Sequence, residues 1–210
     1  MLDSTLRPLI DPPLRHIAQR LDAWGASPNG LTLAGLGVGL LVLPALGFQL
    51  YWLALICVLL NRLTDGLDGA VARVWAERGK TNSPYGGFLD IAADFIFYGA
   101  LPFGFALADP DNALPAAFLL FAFLATGTSF LAFAILAEQK GLQTDVRGKK
   151  SFYYLGGLAE GTETIVVFIL ACLLPSWFSW IALIYGLVCW LTVLIRFIEV
   201  RELLKTHGSA

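Results

Sequence analysis

Charge is scarce in this chain of 210 residues: Asp, Glu, Lys and Arg together make up 14% of it, against 57% hydrophobic residues. A soluble domain of this length carries about a quarter charged residues. The surplus apolar surface therefore has to meet lipid rather than water. Cysteine is rarer still. Cys57, Cys172 and Cys189 all lie in apolar stretches and form no C-x-x-C pair, so they read as small buried hydrophobes, not as disulfides or metal ligands. Histidine occurs only at His16 and His207, near the ends of the chain, which leaves none for a membrane-embedded site. No cluster of basic residues has the character of a nucleic-acid surface, and no nucleic-acid partner is expected. The first thirty residues contain no apolar core and are broken by Pro8, Pro12, Pro13 and Pro28, so a cleavable signal peptide is not expected. Repeats and low-complexity tracts are also missing, which points to one domain spanning 1–210, with a juxtamembrane segment 1–30, a membrane bundle 31–200 and a tail 201–210.

What the chain does have is a series of apolar stretches close to the 20 residues that a membrane-crossing helix needs. They predict an all-α, polytopic protein with six transmembrane helices near 31–48, 51–73, 86–107, 113–137, 155–174 and 177–200. Tyr51, Trp52, Trp177 and Trp180 fall at interface depth. A short amphipathic helix over 11–24 precedes them. Asp11 is placed to cap it and Pro12 suits its first turn, while Leu14, Ile17, Ala18, Leu21 and Trp24 share one face. Such a helix is expected to lie in the membrane interface or to pack on the protein.

Positive charge sets the orientation. Arg7, Arg15 and Arg20 precede the first helix, and Arg73, Arg78 and Lys80 follow the second. Lys140, Arg147, Lys149 and Lys150 join the fourth and fifth, and Arg196, Arg201 and Lys205 close the chain. With six helices all of these fall on one side, and the positive-inside rule then places both termini in the cytoplasm. Arg62 is the only cation outside these groups.

Against this background the acidic residues of the second and third helices stand out. Asp65 and Asp68 are three apart and Asp90 and Asp94 four apart, so each pair shares a helix face. An ionised group at membrane depth costs about 3 kcal/mol unless it is paired or bound to metal, which makes all four functional suspects. If the two consecutive helices run antiparallel, the four carboxylates converge just inside the cytoplasmic boundary. Their mutual repulsion calls for protonation or for divalent cations, and an all-oxygen donor set favours Mg2+ or Mn2+. Gly66, Gly69, Ala70, Ala72, Gly86 and Gly87 line the same turns, where small residues allow either close helix packing or room for a nucleotide. Arg73 is one turn beyond Asp68, where its planar fork reaches a diphosphate or simply snorkels from the helix end. Arg62 is expected to pair with an aspartate or in the neighbourhood of Asn61, with substrate contact as the alternative.

Together, residues 65–73 read D-G-L-D-G-A-V-A-R and residues 86–94 read G-G-F-L-D-I-A-A-D, twelve residues apart. This resembles the signature of the CDP-alcohol phosphatidyltransferases, D-x-x-D-G-x-x-A-R followed by G-x-x-x-D-x-x-x-D, with a spacer a few residues longer than usual. The stretch S-P-N-G-L-T at 27–32 also looks like that family's lead-in to its first helix. The resemblance implies that Asp65, Asp68, Asp90 and Asp94 bind two divalent ions, Mg2+ or Mn2+, and that Asp94 is also the catalytic base. It implies that Asp65, Gly69, Ala72, Arg73 and Gly86 border the CDP moiety. It further implies a phosphatidyl group moved from CDP-diacylglycerol to an alcohol acceptor with release of CMP, by a multi-pass homodimer of the inner membrane.

The acceptor is not specified by these residues. Lys149, Lys150, Glu160 and Glu163, around the start of the fifth helix, are candidates for its pocket. The glutamates favour an unphosphorylated polyol or an amine-bearing alcohol, the lysines a phosphate. Two rivals share much of the pattern. One is a phosphotransferase that gives a CDP-linked head group to diacylglycerol. The other is an ion-coupled transporter, which accounts for intramembrane carboxylates but not for glycines and an arginine at fixed offsets.

Overall fold

The computed structural model describes residues 2–80, 84–139 and 158–207, with side chains from 11 to 205. The helices are α1 (Leu2–Ala23), α2 (Pro28–Leu40), α3 (Val42–Gly47), α4 (Tyr51–Glu77), α5 (Pro84–Ala108), α6 (Ala113–Gln139), α7 (Gly161–Leu173) and α8 (Phe178–His207). Single turns of 3-10 helix, Pro110–Asn112 and Pro175–Trp177, start α6 and α8. Among the described residues there are no strands.

Several boundaries depart from the sequence expectation for identifiable reasons. The apolar run 31–48 is two helices, α2 and α3, separated at Leu41. Pro44 has no N–H to offer the Leu40 carbonyl, and its ring crowds that oxygen. At the other end, α2 starts earlier than expected because Ser27 caps it, its hydroxyl accepting from the Gly30 N–H at 3.1 Å with Pro28 in the first turn. Residues 158–160, expected to be helical, are not. The Ala159 N–H donates to Thr192 Oγ1 on α8 at 3.0 Å, and Glu160 is extended at the N-cap of α7. The α3–α4 turn is tight, with Gln49 at φ 59° sending its amide to the Ala108 carbonyl at the end of α5, 3.0 Å away.

Four stretches are long and apolar enough to cross a membrane: Pro28–Gly47, Pro84–Ala108, Pro110–Gln139 and Pro175–Lys205. The chain is a multi-pass membrane protein. Helix α4 has the length but carries Arg62, Asp65 and Asp68 along its apolar run, and the described part of α7 spans only 13 residues. Trp52, Trp177 and Trp180 are exposed at the end where Tyr51, Phe105 and Phe178 stack. Phe105 and Phe178 are parallel with centroids 4.1 Å apart. The core continues through Phe97, Leu101, Leu119, Phe168, Ala182 and Tyr185.

Packing closes the helices into a ring. α5 packs on α6, α6 on α8, α8 on α7 and α7 on α4, with α2 seated against both α4 and α5. The α2–α4 approach depends on glycine. A Cβ at Gly39 would stand 2.8 Å from both Asn61 Nδ2 and the ring of Phe97. Neither neighbour has room to yield, because Phe97 is fully buried and Asn61 donates to the Gly35 carbonyl at 3.0 Å. Gly39→Ala is therefore expected to cost about 1–3 kcal/mol by overpacking, read as a fall in thermal midpoint. An unchanged midpoint would mean that the helices do not meet this closely.

The first helix differs most from expectation. It starts at Leu2 and runs through Asp11, whose carboxylate lies 3.1 Å from Arg73 Nη2 instead of capping a helix. Leu14, Ala18 and Leu21 pack on Ala70, Val71, Val74 and Trp75 of α4, while Ile17 and Trp24 stay exposed. Arg15 pairs with Glu77 at 2.9 Å. Asp22 receives the Trp75 indole N–H at 2.8 Å and pairs with Arg78 and Lys80. These contacts hold α4 helical through Glu77, one turn past the expected end.

The Asp22 carboxyl is held below its ordinary value chiefly by the Trp75 hydrogen bond, with Arg78 and Lys80 adding to the effect against the opposing cost of burial. A depressed folded-state pKa means that the tether's contribution is complete above the unfolded aspartate value, about 3.9. It is lost as pH falls through the lowered value. Asp22→Asn is thus expected to accelerate amide exchange across α1 at neutral pH, whereas the native chain loosens only on acidification below about pH 4. Equal exchange in the two proteins at neutral pH would rule out the tether.

Candidate metal and nucleotide site

The sequence makes α4 and α5 consecutive antiparallel helices whose carboxylates converge. Among the described residues the two helices barely touch, because α2 is wedged against both. The resulting gap is where their carboxylates meet. Oxygens of Asp65, Asp68 and Asp90 lie within 4.8 Å of one another, bringing both halves of the motif to one point. Asp68 is the buried member, Asp65 is half-buried and Asp90 is exposed. Thr32 of α2 donates its hydroxyl to Asp68 Oδ2 at 2.6 Å.

Asp94 does not join this cluster. It faces Arg62, whose Nη1 is 3.7 Å from Asp94 Oδ1 and whose other terminal nitrogen pairs with Asp65. Three of the four carboxylates meet at this spacing, and Arg62 bridges Asp65 to Asp94. The Tyr98 hydroxyl, one turn deeper along α5, hydrogen-bonds with Arg62 and is within electrostatic reach of Asp94. The expected aspartate partner of Arg62 is in fact a pair of aspartates, one from each motif helix.

The small residues divide by role. A Cβ at Gly66 would meet Leu14 of α1 at 3.2 Å, so this glycine serves helix packing. One at Gly86 would stand 2.9 Å from Asn29 Oδ1, so Gly86 lets α5 approach the start of α2. At Gly69 the nearest atom is Arg73 Nη1, 3.6 Å away, and Gly87 has open space. Ala72 is half-buried beside them. Arg73 itself is 54% exposed and held by Asp11.

On α7, Glu160 is buried and its carbonyl accepts from the N–H and hydroxyl of Thr164 at 2.9 and 2.8 Å. Glu163 is half-buried near Tyr185. A Cβ at Gly161 would be 3.3 Å from the Tyr98 hydroxyl, so the first turn of α7 borders the Asp94 end of the site. Lys149 and Lys150 lie outside the described residues. Two residues of the ring escaped sequence reasoning. Thr32 carried only the signal of its place in S-P-N-G-L-T. Arg196, counted as a cytoplasmic charge, is buried and donates to the Thr126 carbonyl at 2.9 Å.

The residues fit a hard divalent cation. All donors are carboxylate oxygens, their spacing is close to the span of oxygens around an ion bound at about 2.1 Å, and the buried Asp68 gains a countercharge.

The family model for CDP-alcohol phosphatidyltransferases matches residues 26–198, and the chain belongs to that family of enzymes. It is 53% identical over 93% of its length to the inner membrane protein YnjF of Escherichia coli K12, covering 93% of that protein. It is also 36% identical over 104 residues to the archaetidylinositol phosphate synthase of Pyrococcus horikoshii, covering 50% of this chain and 53% of the relative. In fold it resembles the phosphatidylinositol phosphate synthase PgsA1 of Mycobacterium tuberculosis with CDP-DAG bound, with a TM-score of 0.68 and 22% identity over 88% of this chain and 91% of the other. The same enzyme in complex with manganese and citrate aligns with a TM-score of 0.66 and 23% identity over 89% and 88%.

Proposed function

We propose that the chain moves a phosphatidyl group from CDP-diacylglycerol to an alcohol, releasing CMP at the cytoplasmic face of the inner membrane. The proposal includes six membrane crossings, with α4 and the α7 region added to the four apolar spans, both termini cytoplasmic, and a homodimer. The observation that carries the reaction is the meeting of Asp65, Asp68 and Asp90 across the α4–α5 gap within 4.8 Å.

Asp65, Asp68 and Asp90 hold Mg2+ or Mn2+, as a pair of ions, with Asp94 a further ligand. When bound, the ions neutralise diphosphate charge and make CMP a better leaving group. Gly69, Ala72 and Gly86 leave room for the CDP moiety, and Arg73 exchanges Asp11 for a phosphate oxygen. Asp94, aligned by Arg62, accepts the proton of the alcohol as its oxygen attacks the lipid-side phosphorus. The bond from that phosphorus to the bridging oxygen breaks, and CMP carries the electron pair away. Glu160 and Glu163 border the acceptor side of the site; Lys149 and Lys150, outside the described residues, stay candidates for the same pocket from the sequence alone. The PgsA1 structures and the archaetidylinositol relative support a place for inositol phosphate among the acceptors to be tried.

The test offers purified protein labelled CDP-diacylglycerol with glycerol phosphate, serine, inositol, inositol phosphate or phosphatidylglycerol, and separately CDP-choline with diacylglycerol. CMP formed from the first donor, dependent on both a divalent ion and one of the alcohols, is the expected result. CMP formed only from the second pair would assign the head-group reaction instead, and no CMP from any combination would overturn the proposal.

A further inference from the structure

We propose that Thr32 is a positioning residue for Asp68, and that the first turns of α2 act as the template that sets the ion site between the two motif helices. The inference rests on the metal role given to the aspartates above. Two separate contacts carry it. Thr32 is buried and donates to Asp68 Oδ2 at 2.6 Å, across 36 positions of sequence. Its Oγ1 also lies 3.1 Å from the Pro28 carbonyl one turn back. The hydroxyl has a single proton, and the shorter contact to an ionised carboxylate takes it. A β-branched side chain in a helix has few rotamers, and the one that turns Oγ1 toward the preceding carbonyl is the one that reaches Asp68. The carboxylate is thus held by a stiff donor at Oδ2.

The second contact is on the opposite half of the motif. Asn29, three residues before Thr32, presents Oδ1 to Gly86, 2.9 Å from where a Cβ would be. Since α4 and α5 barely touch, the spacing of Asp65 and Asp68 from Asp90 is not fixed by their own packing. The connection runs through α2, which binds Asp68 through Thr32 on one side and passes close to Gly86 at Asn29 on the other. Ligand-orienting hydrogen bonds of this kind change metal affinity by about 10- to 100-fold when removed.

The experiment titrates Mn2+ into the purified full chain and follows the free ion by electron paramagnetic resonance. The proteins are wild type, Thr32→Ser, Thr32→Val, Thr32→Ala and Asp68→Asn, each with its thermal midpoint measured in EDTA. Affinity is expected to follow the hydroxyl: Thr32→Ser stays close to wild type, while Thr32→Val and Thr32→Ala bind at least about tenfold more weakly. The metal-free midpoints are expected to follow side-chain size instead. If Thr32→Val does not fold, Thr32→Ala carries the comparison. Wild-type affinity in the hydroxyl-free variants, or equal weakening in Thr32→Ser, would overturn the inference alone, provided that Asp68→Asn loses the ion. Undiminished binding by Asp68→Asn would overturn the metal reading and the inference together.

Discussion

Asp94→Asn is expected to lower CMP release by about a thousandfold, within the range that a positioned general base contributes, while leaving nucleotide binding nearly intact. The amide matches the carboxylate in shape but cannot take the proton of the alcohol. Asp94 suits this role because of where it sits. It faces Arg62 at 3.7 Å, and the Tyr98 hydroxyl, hydrogen-bonded to Arg62, is within electrostatic reach. Arg62 holds the carboxylate in place from the facing helix. Asp65→Asn is expected to impair nucleotide binding more than Asp94→Asn does, because Asp65 belongs to the ion cluster that meets the diphosphate. Near-normal turnover by Asp94→Asn would remove it as the base.

A loss of similar size is expected for Asp68→Asn, through a different mechanism. Asp68 is the buried ligand of the cluster, with one oxygen committed to Thr32. An amide there removes a negative charge from the cation's shell and puts an N–H₂ group where an acceptor is needed. Its activity should rise again as Mg2+ or Mn2+ is raised, and fall in proportion to ion removal by EDTA. The Asp94 variant should be rescued far less, because added ion restores a ligand site but not the group that takes the proton. The two variants thus separate proton transfer from ion binding by the metal dependence of turnover. Loss of activity in both with no metal rescue in either would contradict this division of labour.

The sequence made the helices and the chemical class legible to different degrees. Apolar runs located α4, α5 and α6 closely, because a membrane helix is a composition before it is a pattern; for α8 they gave the start, but the helix runs on to His207, seven residues past the expected end at 200. Helix interruptions were harder to see. Pro44 divides the first run, and the Ala159–Thr192 hydrogen bond holds residues 158–160 out of α7, a tertiary effect that local sequence does not carry. The amphipathic face of the first helix was visible, but its partner was not. Charged residues at 73–80 read equally well as positive-inside residues and as the ion-pair partners of Asp11, Arg15 and Asp22 that they are.

At the site, spacing within each helix was enough to pair Asp65 with Asp68 and Asp90 with Asp94. It was not enough to separate Asp94 from the other three. That separation comes from Arg62, which lies one turn before Asp65 and reaches both helices. The wedge of α2 between α4 and α5 was equally hidden, since nothing in the order of elements says that a helix will insert between two consecutive neighbours. Gly39 and Gly35, which permit the insertion, read in the sequence as ordinary small residues of a membrane span.

The most direct measurement is anomalous diffraction at the manganese edge from crystals grown with Mn2+. Strong density in the α4–α5 gap, within about 2.2 Å of carboxylate oxygens from Asp65, Asp68 and Asp90, is the expected result. Manganese bound elsewhere, or an empty gap at saturating Mn2+, would show that these side chains do not share an ion and would contradict the proposed reaction.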